Sequence, residues 1–316
     1  MQQTRIEQGT PYYLRFIQRF PDVHALAHAP ADEVLRYWQG LGYYTRARNL
    51  HKAARQITEL HKGIFPQSHE ELLQLSGVGP YSAAAIASFA YGLPYPVVDG
   101  NVKRVIARYA GITDSIDDPK THDEVRTLAG KFMKGVSPAD FNQAIMNFGA
   151  LVCKPKNPDC MSCPLSIKCV ARKKKMVDVI PARSKKKTNE LRYFHFFIVR
   201  WKGKFLLERR EQKDIWRGLY TPPLLEGKST NKPLRKQIDH LISHSTGHVQ
   251  YEIISSSPPQ QQLLSHQTIV GRFYEVALLS SPKRKAEQLT WVNQKTMHDY
   301  GKPKMVVSML ENNGRF

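Results

Sequence analysis

The spacing of apolar residues divides the chain into a helical part and a mixed part. Up to about residue 170, apolar positions recur every three to four residues, which is the period of an amphipathic helix. Such helical segments lie at 31–39, 50–60 and 141–151. Beyond residue 190, short runs rich in β-branched and aromatic residues are typical of strands. These runs lie at 193–200, 205–208 and 270–278. The sequence therefore predicts an all-α domain followed by a mixed α/β domain.

A basic segment separates the two parts. Between residues 172 and 187 the apolar periodicity stops, and runs of lysine flank Pro181, a composition that is typical of an exposed linker. A lysine run is usually only a solvated segment, although it could also lie along DNA. We therefore predict domains at 1–172 and 191–316, joined by a basic linker at 173–190.

The net charge of the chain points to a polyanionic partner. There are 47 Lys and Arg residues against 27 Asp and Glu residues, which gives a formal net charge of +20. Such a charge favours nucleic-acid binding, which gains affinity from counterion release, although a merely basic soluble protein would look the same. The sequence contains no apolar run long enough to span a membrane, and it starts without the apolar core of a signal peptide. We therefore expect a cytoplasmic, nucleoid-associated protein with no membrane partner.

All four cysteines lie in one short segment. Cys153, Cys160, Cys163 and Cys169 have the spacing C-x6-C-x2-C-x5-C. A structural zinc site usually pairs two short knuckles, whereas this segment has one. One close pair with two more distant cysteines better suits the four thiolates that hold a 4Fe–4S cluster. Zinc is the second alternative, and disulfides are the third because the expected compartment is reducing. We therefore predict one 4Fe–4S cluster here.

A glycine-rich turn lies between two predicted helices. Ser68 and Glu71 form a capping box that begins the first helix, and the second helix follows Gly79. Gly77 and Gly79 permit a tight turn, and the backbone N–H groups that begin the second helix form a ready anion site. In a basic protein this arrangement favours a clamp on the DNA backbone, with an ordinary helix–helix turn as the simpler alternative.

Asp99 stands where a further helix should begin. An aspartate in this position more often caps the helix than takes part in a reaction, but the two roles are compatible.

Together these features resemble the helix-hairpin-helix DNA glycosylases of the endonuclease III superfamily, and most closely their adenine-specific branch. The resemblance is dense over residues 1 to about 172. It rests on the cysteine loop and on the motifs at 1–4, 40–44, 46–50, 75–86, 98–104, 141–144 and 148–150. Residues 190–316 resemble the Nudix-like C-terminal domain of that family more loosely, through Trp216–Tyr220 and Ser265-His266.

The resemblance implies a monomeric base excision repair enzyme that acts on double-stranded DNA. Its substrate would be adenine paired with 8-oxoguanine or guanine, which is flipped out of the duplex and released by hydrolysis of the N-glycosidic bond. Asp99 matches the carboxylate that stabilises the cationic sugar, Asn101 matches a polar partner of that carboxylate, and Tyr81 matches a hydrogen-bonding residue of the active site. The implied DNA contacts are Gln3, Tyr43, Gly77, Val78 and Gly79.

The residue type at position 81 separates branches of the superfamily. Strand-cleaving relatives carry a lysine there, whose amine forms a Schiff base with the sugar. A tyrosine hydroxyl cannot form that imine, so we expect no β-lyase activity.

The general acid of the family is a glutamate that precedes the Gln-Gln-Thr motif, and the given sequence starts within this motif. A start codon further upstream is one explanation, and a non-catalytic mismatch-binding protein is the alternative function. Glu7 follows the motif, so we do not assign it this role. We expect the 316-residue chain to bind A:8-oxoguanine duplexes but to release adenine slowly, and an upstream extension with the glutamate to restore turnover.

The C-terminal part lacks the glutamate cluster with which Nudix hydrolases bind Mg²⁺, because residues 228–248 contain only one acid, Asp239. We therefore expect this domain to bind rather than to hydrolyse. Ser265 and His266 resemble a Phe-Ser-His loop that inspects 8-oxoguanine, with Leu264 in place of the phenylalanine. An ordinary surface loop is an equally good interpretation of these residues.

Overall fold

The computed structural model describes residues 6–184 and 189–312. The chain forms two compact units, one of Glu59–Lys186 and the other of Met1–Thr58 together with Lys187–Phe316. The domain boundaries that follow from the sequence pattern, at 172 and 190, stay a prediction.

Two groups of predicted DNA-contacting residues lie outside the described residues. They are Gln3 and the lysines of the linker, Lys185, Lys186 and Lys187. The Gln-Gln-Thr motif at residues 2–4 and Met1 before it also lie outside the described residues.

The described residues up to 184 are helical, as the apolar periodicity predicts. In chain order the helices are α1 (Ile6–Arg19), α2 (Val23–His28), α3 (Ala31–Tyr37), α4 (Thr45–Leu60), α5 (His69–Gln74), α6 (Pro80–Tyr91), α7 (Gly100–Ala110), α8 (Pro119–Met133), α9 (Pro138–Leu151) and α10 (Val170–Lys173). Three of them begin with a proline in the first turn, where a missing backbone N–H costs no hydrogen bond. The prediction of an all-α first part is confirmed.

The core of the 59–186 unit is built around α7. Val102 and Ile106 on this helix are fully buried, and they belong to the same core as Val125 and Ala129 of α8. Ile180 belongs to the same core and is only 2% exposed. The exposed-linker prediction is therefore wrong for this residue.

Two contacts explain why the chain does not leave the unit at residue 174. The Arg108 guanidinium donates to the Ile180 carbonyl at 2.8 Å, and Ala182 forms a β-bridge with Ser115. A pattern of local composition cannot detect such distant partners.

The second part is a mixed sheet with helices, as predicted. Its strands are β1 (Glu190–Trp201), β2 (Lys204–Arg209), β3 (Tyr220–Thr221), β4 (Leu224–Gly227), β5 (Tyr251–Ser256), β6 (Gln260–Leu263), β7 (Gln267–Leu278) and β8 (Leu289–Val292). The strand order is β3-β2-β1-β7-β5, with β4 paired to β1, β6 to β7 and β8 to β2. β1 and β7 run parallel and the other pairs are antiparallel. The helices are α11 (Arg235–Thr246) and α12 (Lys304–Asn312), with a 3-10 helix at Thr296–Asp299.

Both faces of β1 are buried, which explains its continuous apolar sequence. Phe194 and Phe196 belong to a core that also contains Val34 and Leu35 of α3. Phe197 and Val199 point to the other face and share a second core with residues of α11. The helices of residues 6–58 and the sheet thus form one hydrophobic core.

Among the described residues, no helix is long and apolar enough to cross a membrane.

Candidate active site

The glycine turn joins α5 and α6. The Glu71 backbone N–H donates to the Ser68 hydroxyl at 3.2 Å, and that hydroxyl donates to the Glu71 carboxylate at 2.7 Å. The predicted helix start at Ser68 is therefore confirmed.

The turn itself requires glycine at one position and leaves open space at the other. Gly77 has a φ of +80°, which L-residues with side chains rarely adopt. Gly79 caps α6, and no described atom lies within 4 Å of the Cβ that this glycine lacks. The beginning of α6 is thus accessible, as the predicted phosphate contact requires.

Asp99 caps α7 with one oxygen and binds a side chain with the other. Its Oδ1 accepts from the Val102 backbone N–H at 2.8 Å, and its Oδ2 accepts from the Asn101 amide at 3.0 Å. The capping role expected for Asp99 is confirmed. Because both oxygens are held, the carboxylate has a fixed orientation and lies beside Asn101, as the sequence predicts.

Tyr81 lies in the first turn of α6 and is 36% exposed. Burial, and then the negative charge of Asp99, raise the pKa of its hydroxyl above the usual value of 10.0. Tyr81 therefore stays protonated at neutral pH and lies within electrostatic reach of Asp99. Asp99 and Asn101 are thus in hydrogen-bond contact, and the charge of Asp99 reaches Tyr81.

Arg104 continues this group of polar contacts into the interior. It is 4% exposed, and its Nη2 donates to Asn101 Oδ1 at 2.8 Å and to the Gly149 carbonyl at 2.7 Å. Its Nε donates to the Cys153 carbonyl at 2.7 Å. A continuous set of hydrogen bonds thus connects Asp99 with the cysteine loop.

This role of Arg104 is not among the predictions from the sequence. The available signal was its spacing, because residues three apart on a helix lie on the same face, and Asn101 and Arg104 are three apart. In a chain of high positive charge, a single buried arginine does not stand out.

Arg108 fixes the cysteine loop from the next turn of α7. Its Nη1 donates to the Lys154 carbonyl at 2.7 Å and lies 3.4 Å from Cys153 Sγ. The Cys169 thiol donates to the Arg108 carbonyl at 3.4 Å. α7 therefore holds both ends of the cysteine segment.

The four cysteines surround one small cavity of about 30 Å³. All four are half-buried and none is in a disulfide. Burial raises the pKa of the Cys160 thiol, and so do the negative charges of Cys153, Cys163 and Cys169, which places the four sulfurs near one another. Within the described ranges, however, no three His, Cys, Asp or Glu side chains are arranged to hold a metal ion. Four thiols around one cavity are a suitable donor set for a group that contains several metal atoms.

A second candidate site lies in the unit formed by both ends of the chain. Leu264, Ser265 and His266 form the turn between β6 and β7, and Ser265 and His266 are exposed. The Tyr43 hydroxyl forms a hydrogen bond with Ser265 Oγ, although 222 residues separate them in sequence. Tyr43 itself has a φ of +47°, in the left-handed region.

These residues line a cavity of about 670 Å³, which we call the reader pocket. It contains aromatic, polar and basic side chains from both ends of the chain. They include Tyr43, Arg48, Trp216, Gln262, Ser265, His266, Gln267 and Lys304.

Leu264, for which an apolar contact is predicted, lines the reader pocket. Leu264 is partly buried and packs against the core, whereas its neighbour Leu263 is 76% exposed.

Two domain families match the chain. The family described as HhH-GPD superfamily base excision DNA repair protein matches residues 1–134, and the NUDIX domain family matches residues 195–312. The first match contains α5, the glycine turn, α6 and the Asp99 cap, and the second contains most of the mixed sheet.

Known adenine DNA glycosylases are similar to the chain over different lengths. The adenine DNA glycosylase of Buchnera aphidicola subsp. Schizaphis graminum is 32% identical over 98% of this chain and 88% of its own length. The human adenine DNA glycosylase is 41% identical over 55% of this chain and 32% of its own length.

A solved structure supports the fold of the helical part. A thermostable thymine-DNA glycosylase matches 55% of this chain and 80% of its own, with a TM-score of 0.50 and 29% identity. Because the likeness to the Buchnera enzyme extends over nearly the whole chain, this protein belongs to the adenine DNA glycosylase family and is a base excision repair enzyme.

Proposed function

We propose that this DNA glycosylase removes adenine paired with 8-oxoguanine or guanine, by hydrolysis of the N-glycosidic bond. The main support is the Asp99 carboxylate, which the Val102 N–H and the Asn101 amide hold in place. The charge of this carboxylate also reaches the Tyr81 hydroxyl. The names of its relatives support adenine as the base that is removed.

The proposed chemistry follows from these groups. Loss of a base leaves positive charge on the sugar, and a fixed carboxylate stabilises that charge as it develops. Asp99 would have this role, and Asn101 would keep its orientation. Tyr81 stays protonated and would donate a hydrogen bond within the site, but it cannot form a Schiff base.

Double-stranded DNA is the proposed partner. The accessible beginning of α6 at Gly79 would bind a backbone phosphate, because helix N-termini favour anions. Val78 and Gly77 lie in the same turn, and Tyr43 would contact DNA at the reader pocket.

We propose that the reader pocket inspects the base opposite adenine. Compared with guanine, 8-oxoguanine gains a carbonyl at C8 and carries a hydrogen on N7. A serine hydroxyl both donates and accepts, so Ser265 would bond to either feature. The position of Ser265 beside Tyr43 and the exposure of His266 support this role.

In the same domain, α11 contains one acidic residue, Asp239, which is bound to Arg235 at 3.1 Å. This supports binding rather than metal-dependent hydrolysis.

We further propose that Cys153, Cys160, Cys163 and Cys169 hold one 4Fe–4S cluster. Four thiols around one cavity, in a segment with one short C-x2-C knuckle and two more distant cysteines, support a cluster over zinc. The bound cluster would supply iron–thiolate bonds that close the loop. Protein purified without oxygen should be brown and contain about four irons per chain. Stoichiometric zinc in a colourless protein would contradict this assignment.

Adenine release under single-turnover conditions tests the function. The substrates are duplexes with A:8-oxoguanine, A:G and A:T, and the enzyme is tested as the 316-residue chain and with an upstream extension in frame. We expect fast release from the first two duplexes by the extended enzyme and slow release by the 316-residue chain, and a loss of at least ~100-fold when Asp99→Asn is made in the extended enzyme.

Asp114→Asn is the matched control, because Asp114 is an exposed carboxylate in the same unit. Equal rates for Asp99→Asn and the unmodified enzyme would exclude Asp99 from the chemistry. Release from A:T as fast as from A:8-oxoguanine would contradict the proposed substrate.

A further inference from the structure

We propose that the reader pocket also binds free 8-oxoguanine nucleotides, as 5′-monophosphates, and that these compete with damaged DNA. This inference rests on the proposed function, because it takes 8-oxoguanine to be the base that the pocket inspects.

The volume of the pocket is the first argument. A loop that only touched one edge of a base in a duplex would need a surface rather than a cavity. The reader pocket has a volume of about 670 Å³, which lies within the range of roughly 300–1,000 Å³ that is typical of small-molecule sites. There is room for a purine together with its sugar and phosphate.

The walls suit a planar base. Trp216 is a buried part of the wall, and Tyr43 is half-exposed. The Arg46 guanidinium lies 5.4 Å from the Tyr43 ring centre and 5.3 Å from that of Trp38, so the tyrosine ring is already supported on one side. A purine stacks on such a surface without a large loss of side-chain freedom.

A buried acceptor without a donor is the second argument. Gln262 lines the pocket, and its Oε1 is buried with no hydrogen-bond partner among the described residues. A buried acceptor of this kind costs free energy unless a ligand or water supplies a hydrogen. The N7–H of 8-oxoguanine is such a donor, whereas guanine presents a lone pair at N7 and would repel the oxygen.

The basic residues of the pocket suit a phosphate. The Arg48 guanidinium is fixed by the Arg217 carbonyl at 2.7 Å and by Thr45 Oγ1 at 2.9 Å. Lys304 is exposed and begins α12, where the helix dipole adds partial positive charge.

The one carboxylate among the lining residues does not oppose this charge. Asp214 forms two hydrogen bonds of 2.8 Å with the Arg192 guanidinium, and Arg210 lies 3.2 Å from the same carboxylate. The negative charge of Asp214 is therefore compensated by Arg210 and by Arg192, which also pairs with Glu226 at 2.7 Å.

The expected consequence is regulation by the nucleotide pool. When oxidised guanine nucleotides are abundant, they would occupy the reader pocket and reduce the preference of the enzyme for A:8-oxoguanine sites, without blocking its non-specific binding to DNA.

Calorimetry on the full chain without DNA tests the proposal directly, with 8-oxo-dGMP, dGMP, 8-oxodeoxyguanosine and inorganic phosphate as ligands. We expect 8-oxo-dGMP to bind about 10-fold or more tightly than dGMP, since one base-edge contact is typically worth a factor of this size. Phosphate alone should not bind measurably. In an anisotropy assay, 8-oxo-dGMP should displace a labelled A:8-oxoguanine duplex but not an undamaged duplex.

Two variants separate the base contact from the phosphate contact. Gln262→Ala should reduce the affinity for 8-oxo-dGMP to that for dGMP, whereas Gln261→Ala, at the exposed neighbouring position, should change neither. Lys304→Ala should weaken both nucleotides equally and leave the nucleoside unaffected. Because Lys304 is exposed, this variant keeps the test valid if Gln262→Ala does not fold.

The outcomes distinguish this inference from the proposed function. If the protein prefers A:8-oxoguanine over A:G duplexes but does not bind 8-oxo-dGMP, the nucleotide proposal is wrong and the reading role stands. If it shows no preference between the duplexes, the reading role is wrong, and calorimetry with 8-oxo-dGMP still decides whether the pocket is a nucleotide site. Equal binding of 8-oxo-dGMP and dGMP would overturn the role of Gln262.

Discussion

Replacing Arg104 with methionine should destabilise the 59–186 unit by roughly 3–5 kcal/mol, because three acceptors lose a charged hydrogen-bond donor. Arg104 is almost fully buried and donates to Asn101, to the Gly149 carbonyl and to the Cys153 carbonyl at 2.7–2.8 Å. Methionine has a similar length but no donor, so one buried acceptor, the Gly149 carbonyl, and two partly buried ones would lose their partner, at up to about 1–3 kcal/mol each. Part of this cost is recovered as the apolar side chain fills the space.

Urea unfolding, followed by circular dichroism, measures the effect. With a slope of about 2 kcal/mol per molar urea, the expected loss lowers the midpoint of this unit by about 1.5–2.5 M. Arg126→Met is the matched control on α8. Arg126 is 56% exposed and pairs with Asp123 one turn away, so its replacement should change stability by less than about 0.5 kcal/mol.

The same variant tests the connection to Asp99. Without Arg104, Asn101 loses the bond that fixes its carbonyl oxygen and is free to rotate away from the Asp99 carboxylate. Single-turnover adenine release should therefore fall even at low temperature, where the variant is folded. A midpoint within about 0.5 M of the unmodified protein, together with an unchanged rate, would refute the reasoning.

Three further changes follow from the same contacts. Gly149→Ala would place a Cβ 2.7 Å from the Asn101 Cβ, so it should lower both the urea midpoint and the rate of adenine release. Gly130→Ala on α8 meets only ordinary contacts, and as a control it should leave stability equal or higher. Asn142→Asp removes a buried amide donor to two oxygens, at 2.9 and 3.0 Å, and should destabilise the unit at pH 7. Stability should partly return at pH 5, where the new carboxyl is protonated and donates again; equal losses at both pH values would contradict this. Burial lowers the pKa of His195 below its usual value. The contribution of His195 to stability is therefore complete above about pH 6.5 and is lost as the pH falls through the lowered value. In the His195→Gln variant, the urea midpoint should therefore depend less on pH between about pH 5 and 7.

Features with a local cause could be predicted from the sequence. The capping box at Ser68, the cap at Asp99 and the turn at Gly77 each depend on residues within a few positions, and the structure contains all three. The run at 193–200 likewise predicted a strand, and β1 contains it.

Features that depend on distant partners could not be predicted in the same way. The burial of Ile180 depends on Arg108, which is 72 residues away. The reader pocket requires Tyr43 to meet Ser265, and no periodic pattern reports a contact across 222 residues.

The shared core of residues 1–58 and 187–316 has a consequence for biosynthesis. Phe20, Val34 and Leu35 pack in one core with Phe194 and Trp216, which leave the ribosome more than a hundred residues later. At ordinary translation speeds the early helices wait on the order of ten seconds for their partners, with apolar surface exposed to chaperones and to aggregation. A chain that stopped at residue 186 would never cover that surface. Proteolysis or a nonsense mutation in the basic segment should therefore remove the first helices from the folded protein together with the C-terminal sheet.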